Sequence, residues 1–76
     1  MNERVRQILS LALEMPAHQI SEALSAEHTS NWDSIHHLNL VMALEEAFGV
    51  SFSSDELGQL TSYRAIADAL AQRGIA

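Results

Sequence analysis

One short stretch of this sequence, from Asp33 to His37, holds the residue types that catalysis most often uses. An aspartate, a serine and two histidines stand together there: Asp33, Ser34, His36 and His37. A nucleophile, a base and an orienting acid must be joined by successive hydrogen bonds, but residues one or two positions apart on a helix do not face each other. Ser34 also has no neighbouring glycine to form a nucleophile elbow. The spacing argues against a hydrolase, and we predict no catalytic residue.

The histidines do not have the spacing of a metal site either. No two of them are four residues apart on a predicted helix, and no cysteine accompanies them; the four are His18, His28, His36 and His37. The lack of cysteine excludes disulfides and thiolate ligands, so any thioester would need sulfur from an added group. No stretch has the alternating acids and central glycine of a calcium loop. We predict no bound metal.

Ser34 lies at the entry of a predicted helix, and this position allows two interpretations. Serine is favoured there because its hydroxyl can accept a hydrogen bond from an unpaired backbone N–H. Alternatively, Ser34 carries a covalent phosphate-linked group. The negative charge of such a group would face the positive end of the helix dipole and free N–H groups.

The apolar pattern predicts that Ser34 opens the central helix of a small bundle. Each predicted helix has an apolar face with helical spacing or a recognisable start or end signal. The segments are residues 2–14, ended by Pro16; residues 34–48, ended by Gly49; a short helix opened by Ser53 and Glu56 in capping-box spacing; and a last helix from Thr61 or Ser62 to Gly74. We therefore predict an all-α fold, a small bundle of three main helices plus one short helix, in a single domain of residues 1–76.

A long first loop, residues 15–33, leads the chain to Ser34. Ile20 and Leu24 are spaced to pack into the core through a short helical turn, and the polar residues around them favour irregular backbone. Connections of this length are uncommon in compact domains and are often functional. After the central helix, Val50 and Phe52 are predicted to plug the core from a loop, because so short an alternating segment has no strand to pair with.

The central helix has two apolar faces. On a wheel of about 100° per residue, the wedge predicted to face the core consists of Leu40, Val41, Leu44, Ala47 and Phe48. Ile35, Leu38 and Met42 fall on the opposite side, which they share with Asn39, Glu45 and Glu46. This second face either contacts another element of the fold or docks a partner. Leu38 is expected to be the most buried of its three apolar residues.

The charge pattern favours partners with basic surfaces. The formal net charge is −6, all four cations are arginines, and no Lys or Arg occurs from residue 7 to residue 63. This pattern argues against nucleic-acid binding, whereas a basic protein surface would complement it; the acidity could also serve solubility alone. No apolar run approaches the roughly 18 residues of a membrane span. No signal peptide is recognisable, so we expect a cytoplasmic protein.

The segment Asp33-Ser34-Ile35 and the run from Leu40 to Val50 resemble the acyl carrier protein family. The family pattern is an Asp-Ser-Leu triplet that opens a helix, followed by a Leu-Val-Met-Ala-Leu-Glu-Glu-like run that ends in Phe. The resemblance continues through the acidic short helix at Asp55-Glu56 and the Thr61-Ser62 start of the last helix. It therefore covers essentially the whole chain.

The resemblance implies that Ser34 carries 4′-phosphopantetheine through a phosphodiester bond. A phosphopantetheinyl transferase would supply the group from coenzyme A, and its thiol would carry acyl groups as thioesters, which suits a chain without cysteine. The protein would be a non-catalytic substrate of acyl-transferring or acyl-modifying enzymes with basic surfaces, in fatty-acid, lipid or polyketide synthesis. The alternatives are an aminoacyl or peptidyl carrier, and a helical interaction module in which Ser34 is only a cap.

Two further sets of residues follow from the resemblance. The partner-docking face would consist of Asp33, Ile35, Leu38, Met42, Glu45, Glu46, Asp55 and Glu56. An acyl chain could also fold back between the helices, where each buried methylene would contribute roughly 0.8 kcal/mol. The residues predicted to line that pocket are Leu38, Leu44, Phe48, Phe52 and Ile66.

The sequence departs from the family pattern directly after Ser34. Family members of fatty-acid synthesis usually have acids there, whereas this chain has His36, His37 and Asn39. Attraction to a generic basic partner should be weaker and more dependent on pH, which indicates a specialised carrier with its own cognate enzymes. Trp32 is expected to brace the loop rather than contact the arm. We expect a free-standing monomer, because the chain ends just past the last helix.

Overall fold

The computed structural model describes residues 1–75 and consists of four α-helices joined by irregular connections. In chain order these are α1 (Glu3–Leu13), α2 (Ser34–Phe48), α3 (Ser54–Leu57) and α4 (Tyr63–Ala71), with two 3₁₀ turns at Ala17–Gln19 and Ala26–His28. The described residues form no strand beyond one isolated antiparallel bridge between Ser25 and Ser62. The predicted all-α fold of three main helices and one short helix is confirmed.

Local capping explains where three of the helices begin. The Asn2 side chain accepts hydrogen bonds from the backbone of Arg4 and Val5, which starts α1 at the next residue. Ser53 and Glu56 form the predicted capping box of α3, with the Ser53 hydroxyl and the Glu56 carboxylate each bonded to the other's backbone N–H. Of the two residues predicted to start α4, Ser62 is the cap, and its hydroxyl accepts from Ala65 N at 3.0 Å.

Left-handed residues follow three of the helices. Gly49, directly after α2, has φ 64°, as predicted. α4 proper ends at Ala71, and a turn carries the chain to Gly74 at φ 78°. The residue after α1 is Glu14, the one described non-glycine residue with positive φ, at 55°. A side chain in this conformation is strained, so Glu14 is an unusual choice at the end of a helix.

The long first loop is fastened to both α4 and α1. Ala26 N donates to Thr61 O at 2.8 Å and Tyr63 N donates to Leu24 O at 3.0 Å, which makes the bridge between the loop and the start of α4. Near the end of the loop, Asn31 Nδ2 donates to Leu13 O at 3.0 Å. The predicted helical turn occurs as two 3₁₀ turns, one before Ile20 and one after Leu24. The loop leading to Ser34 is therefore held in place by hydrogen bonds to both helices.

The core lies between α1, α2 and α4 and is entirely apolar among the described residues. No buried residue is polar or charged, and each long helix contributes a stripe of buried side chains. The stripes are Val5, Leu9 and Leu13 on α1, Leu40, Val41 and Leu44 on α2, and Tyr63, Ile66 and Leu70 on α4, joined by Ile20, Leu24, Trp32, Phe52 and Leu60 from the connections. Phe52 is the predicted plug, and Ala47 and Phe48 are half-buried at the edge of the core. In the part of the chain that the structure describes, no helix has the length and apolar character needed to cross a membrane.

Candidate functional site

Ser34 is the first residue of α2, and its side chain is exposed. The helix is capped by the preceding residue, Asp33, whose carboxylate Oδ1 accepts from His36 N at 2.9 Å while its carbonyl accepts from His37 N at 2.8 Å. The Ser34 hydroxyl makes no hydrogen bond within the described residues. The interpretation of Ser34 as the helix cap is therefore wrong, and its hydroxyl is left available at the helix entry.

His36 joins this cap to the end of α1. Its Nδ1 lies 2.8 Å from Asp33 Oδ1, and its Nε2 lies 2.8 Å from Glu14 Oε2. A ring held between two carboxylates is stabilised as the cation, so the pKa of His36 is raised above its usual 6.5, first by Glu14 and then by Asp33. The His36 backbone N–H, followed by its ring, lowers the pKa of Asp33. When the His36 ring is protonated, it forms an ion pair with the acid beside Ser34.

His37 connects the segment before Ser34 to α3. Trp32 Nε1 donates to His37 Nδ1 at 3.0 Å, and the other ring nitrogen, Nε2, lies 2.7 Å from Leu57 O. The indole of Trp32 is only 7% exposed, and its ring stacks on that of His37 with centroids 6.3 Å apart. Trp32 braces the loop, as expected from the sequence.

The second apolar face of α2 is exposed, which decides against the alternative that it contacts another element of the described fold. Ile35, Leu38 and Met42 are 72%, 56% and 59% accessible, so Leu38 is the least exposed of the three but is still at the surface. We call these three residues the apolar face of α2. Asn39 and Glu46 are also exposed on this helix.

The acids predicted for partner docking fall into two groups. Glu45 accepts from Phe52 N at 2.9 Å, and both carboxylate oxygens of Glu56 lie 2.7 Å from Arg73 Nη2. The Arg73 guanidinium is the main reason that the pKa of Glu56 is lowered. Asp33 is paired with His36 as described above. Glu46 and Asp55 are exposed and have no such pairing within the described residues.

The residues predicted to line an acyl pocket do not surround an open cavity in this structure. Leu44 and Ile66 are fully buried, Phe52 is 9% exposed, and Leu38 lies on the opposite surface of α2. The guanidinium of Arg4 covers the half-buried ring of Phe48 at 5.0 Å. A groove of about 540 Å³ instead lies between the start of α1 and α4, and none of the five predicted residues lines it. The acyl pocket stays a prediction.

The sequence predicted that Trp32 braces the loop but did not reveal the partners of the two histidine rings. No local signal marks Glu14, because its contact with His36 spans 22 residues and depends on how α1 packs against α2. The contact between Trp32 and His37 could have been predicted from their five-residue spacing. This spacing places the side chain of Trp32, just before the helix, beside His37 on the first turn of α2.

The entry of α2 fits a phosphate-linked group on Ser34. The serine oxygen is exposed, so a group joined to it would displace no described contact. α2 has 15 residues, long enough for its N-terminal dipole to favour a negative charge there. Within the described residues, the hydrogen bonds of the His36 and His37 rings go to partners other than the Ser34 hydroxyl.

The comparison with known families agrees with this geometry. The family model described as "Phosphopantetheine attachment site" matches residues 3–70. The matched range begins with α1 and includes the first loop, α2, α3 and all but the last residue of α4.

Proposed function

Because the chain belongs to the phosphopantetheine attachment-site family, whose covalent cofactor is 4′-phosphopantetheine, we propose that Ser34 is the attachment residue and that the protein carries acyl groups as thioesters. The observation that carries this proposal is the exposed Ser34 hydroxyl at the first position of α2, left free because Asp33 caps the helix. When bound, the cofactor supplies a thiol on a flexible arm, which the chain itself lacks.

The residues around Ser34 would serve attachment in distinct ways. The amides at the start of α2 favour the phosphodiester charge. Asp33 fixes the first turn of the helix by bonding to His36 N, and this turn sets the direction in which the serine oxygen points. A phosphopantetheinyl transferase using coenzyme A is the partner that this step requires.

The apolar face of α2, with the unpaired acids Glu46 and Asp55, is the surface we propose for docking acyl-handling enzymes. An apolar patch bordered by exposed charges is typical of an interaction surface. The partners would present an apolar cleft beside basic residues. We place the protein among the cytoplasmic carriers of fatty-acid, lipid or polyketide synthesis, and a specialised one, because His36 and His37 stand where generic carriers have acids; an aminoacyl or peptidyl cargo is the alternative.

Intact-mass measurement tests the attachment residue. The unmodified protein is incubated with coenzyme A and a broad-specificity phosphopantetheinyl transferase, and we expect the mass of one phosphopantetheine group to be added. Ser34→Ala should show no gain. The matched control is Ser54→Ala, because Ser54 is also an exposed serine at the first position of a helix, α3, and this variant should be modified like the parent.

Two results would overturn the proposal. A gain that persists in Ser34→Ala would place the group on another residue. No gain in a folded, unmodified parent would leave the protein without a carrier role, and the interaction-module alternative would then explain the exposed apolar face.

A further inference from the structure

The imidazole of His37 lies between two segments that are distant in the sequence. Trp32, two residues before Ser34, donates to Nδ1 at 3.0 Å, and Leu57, the last residue of α3, offers its carbonyl to Nε2 at 2.7 Å. The ring is thus the common partner of Trp32, in the segment directly before Ser34, and of α3, the short helix that carries Asp55. Within the described residues, these two segments share no direct hydrogen bond with each other.

The two hydrogen bonds determine the protonation state of the ring. An indole N–H can only donate, and a carbonyl oxygen can only accept. His37 therefore needs a lone pair on Nδ1 and a proton on Nε2, which is one of the two neutral tautomers. A second proton would place Nδ1–H against the indole N–H across 3.0 Å, and the bond to Trp32 would be lost. The indole is 7% exposed, so water could not readily replace His37 as its acceptor.

The short helix depends on side chains for its position. α3 has four residues, too few to persist as an isolated helix. Arg73 bonds to Glu56, the third residue of α3, at 2.7 Å, and His37 bonds to the carbonyl of Leu57, the fourth. Loss of the His37 contact would remove one of these two side-chain anchors.

The ionisable groups on the surrounding elements are committed to other partners. Asp33 on the turn is paired with His36, Glu45 on α2 with Phe52 N, and Glu56 on α3 with Arg73. Asp55, the remaining acid of α3, is exposed. Within the described residues no carboxylate is hydrogen-bonded to the His37 ring, so a proton on His37 would gain no ion pair in exchange for the bond to Trp32.

We propose that His37, in its neutral Nε2–H form, is a positioning residue of the carrier site. It holds residues 32–34 and the end of α3 together, and protonation of its ring releases Trp32 from it. The link to the carrier site rests on the proposed function, whereas the contacts and their loss can be measured on the unmodified protein.

Two variants separate the two contacts of the ring. An Asn side chain has its amide near the position of Nδ1, so His37→Asn offers an acceptor to Trp32 but does not reach Leu57. A Gln side chain reaches the position of Nε2, so His37→Gln keeps the bond to Leu57 O and loses the acceptor for Trp32. Neither side chain titrates. His36→Gln, a change at the neighbouring ring, is the matched control.

Tryptophan emission and amide exchange report the two contacts in the unmodified protein. The chain has a single Trp, so emission reports on Trp32 alone. From about pH 8 to about pH 5, we expect the parent's emission to shift to the red. The protection of the Leu57 and Gln59 amides, corrected for intrinsic exchange, should be kept, because a protonated ring still has the Nε2–H that bonds to Leu57 O. His37→Asn should have pH-independent emission and weak α3 protection at both pH values. His37→Gln should have red-shifted emission at both and retain α3 protection near pH 8.

The modification rate tests the role in the carrier site. His37→Phe, which keeps a ring without either hydrogen bond, should be modified by the transferase about tenfold more slowly than the parent near pH 8, and His37→Asn should recover most of the loss. Emission and exchange that do not respond to any His37 substitution would overturn the proposal, as would a pH response that persists in His37→Asn and disappears in His36→Gln. A parent that takes no phosphopantetheine would overturn the proposed function alone, since the emission and exchange experiments would still decide the role of His37.

Discussion

His36 and His37 are neighbours in the chain, yet their rings have opposite requirements for a proton. His36 lies between two carboxylates, at 2.8 Å from each, and is stabilised as the cation. His37 lies between an indole N–H and a carbonyl, and only its neutral form satisfies both. The entry of α2 therefore contains one set of contacts, at His36, that favours the protonated ring and another, at His37, that requires the neutral ring.

The raised pKa of His36 gives its contribution to stability a definite sign. Stabilisation by a group whose folded pKa lies above its unfolded value is fully present below the unfolded value, and it is lost as pH rises through the folded value. The pKa of His36 is raised from 6.5, so His36→Gln should lower the melting temperature near pH 6, and the difference should disappear at pH well above 7. Thermal unfolding at several pH values measures this.

The control for His36→Gln is a histidine that also faces an acid but lies in solvent. His28 Nε2 is 4.0 Å from Glu27, with both side chains more than three-quarters exposed. Exposed pairs of this kind contribute little, so His28→Gln should change the melting temperature little at any pH. A destabilisation by His36→Gln that grows with rising pH would contradict the bridge to Glu14 and Asp33.

At the scale of single residues, the sequence located Ser34 at the entry of α2 but did not show which side chains surround it. The Asp-Ser pair is a local signal, and helix-capping rules explain why the serine lies at the entry of α2. Those rules also ranked serine as a good cap, and they did not show that Asp33 takes this role and leaves Ser34 free. Glu14 could not be found, because its left-handed conformation and its contact with His36 both follow from tertiary packing.

Among the helices, α3 depends most on contacts made by other elements. The Arg73 guanidinium bonds to Glu56, to Ser51 O at 3.1 Å and to Ala69 O at 3.0 Å, and it lies 4.6 Å from the centre of the Phe52 ring. This one side chain thus connects α4, the loop that contains Ser51 and Phe52, and α3.

Replacing Arg73 by Lys should loosen α3 although the charge is kept. A lysine ammonium has neither the planar donors nor the stacking surface of a guanidinium, so it could keep the Glu56 pair but not all the other contacts together. We expect faster hydrogen exchange at the α3 amides and a lower urea midpoint. Arg64→Lys is the matched control, since Arg64 is exposed at the start of α4. Equal effects of the two variants would show that Arg73 does not hold α3.

The helices were predictable from the sequence because their signals are local, and the first loop was not because its contacts are long-range. Caps at Ser53 and Ser62 and the left-handed Gly49 are set by neighbours within one turn, so the pattern alone located α3, α4 and the end of α2. The conformation of the first loop is fixed by the bridge between Ser25 and Ser62, which lie far apart in the sequence. No periodicity could reveal that pairing.

For the whole molecule, the ten acidic residues overstate the negative charge available to a partner. Glu56 is paired with Arg73, and Glu14 and Asp33 share one histidine ring, that of His36. Among the predicted docking acids, Glu46 and Asp55 are exposed and have no such pairing in the part of the chain that the structure describes. Attraction to a basic partner should therefore come largely from these two carboxylates.

Neutralising these two acids should weaken docking through the association rate. Glu46→Gln and Asp55→Asn together should lower kcat/KM for the phosphopantetheinyl transferase several-fold at low ionic strength, and should flatten its dependence on salt. Glu27→Gln makes a similar charge change on the first loop and should have little effect. Equal losses from the loop variant would mean that net charge, and not this surface, steers the partner.

The arginines have a further consequence if the protein carries acyl thioesters, as proposed. Arg4 donates to Ala47 O, Arg6 to Ala17 O and Arg73 to Ser51 O, roles that lysine ammonium groups could partly fill. The chain has no lysine and no cysteine, and a guanidinium stays protonated and does not act as a nucleophile. The side chains of the proposed carrier thus contain neither an amine nor a thiol that its own thioester cargo could acylate. The arginines that secure the fold would therefore offer the proposed cargo no nucleophilic amine.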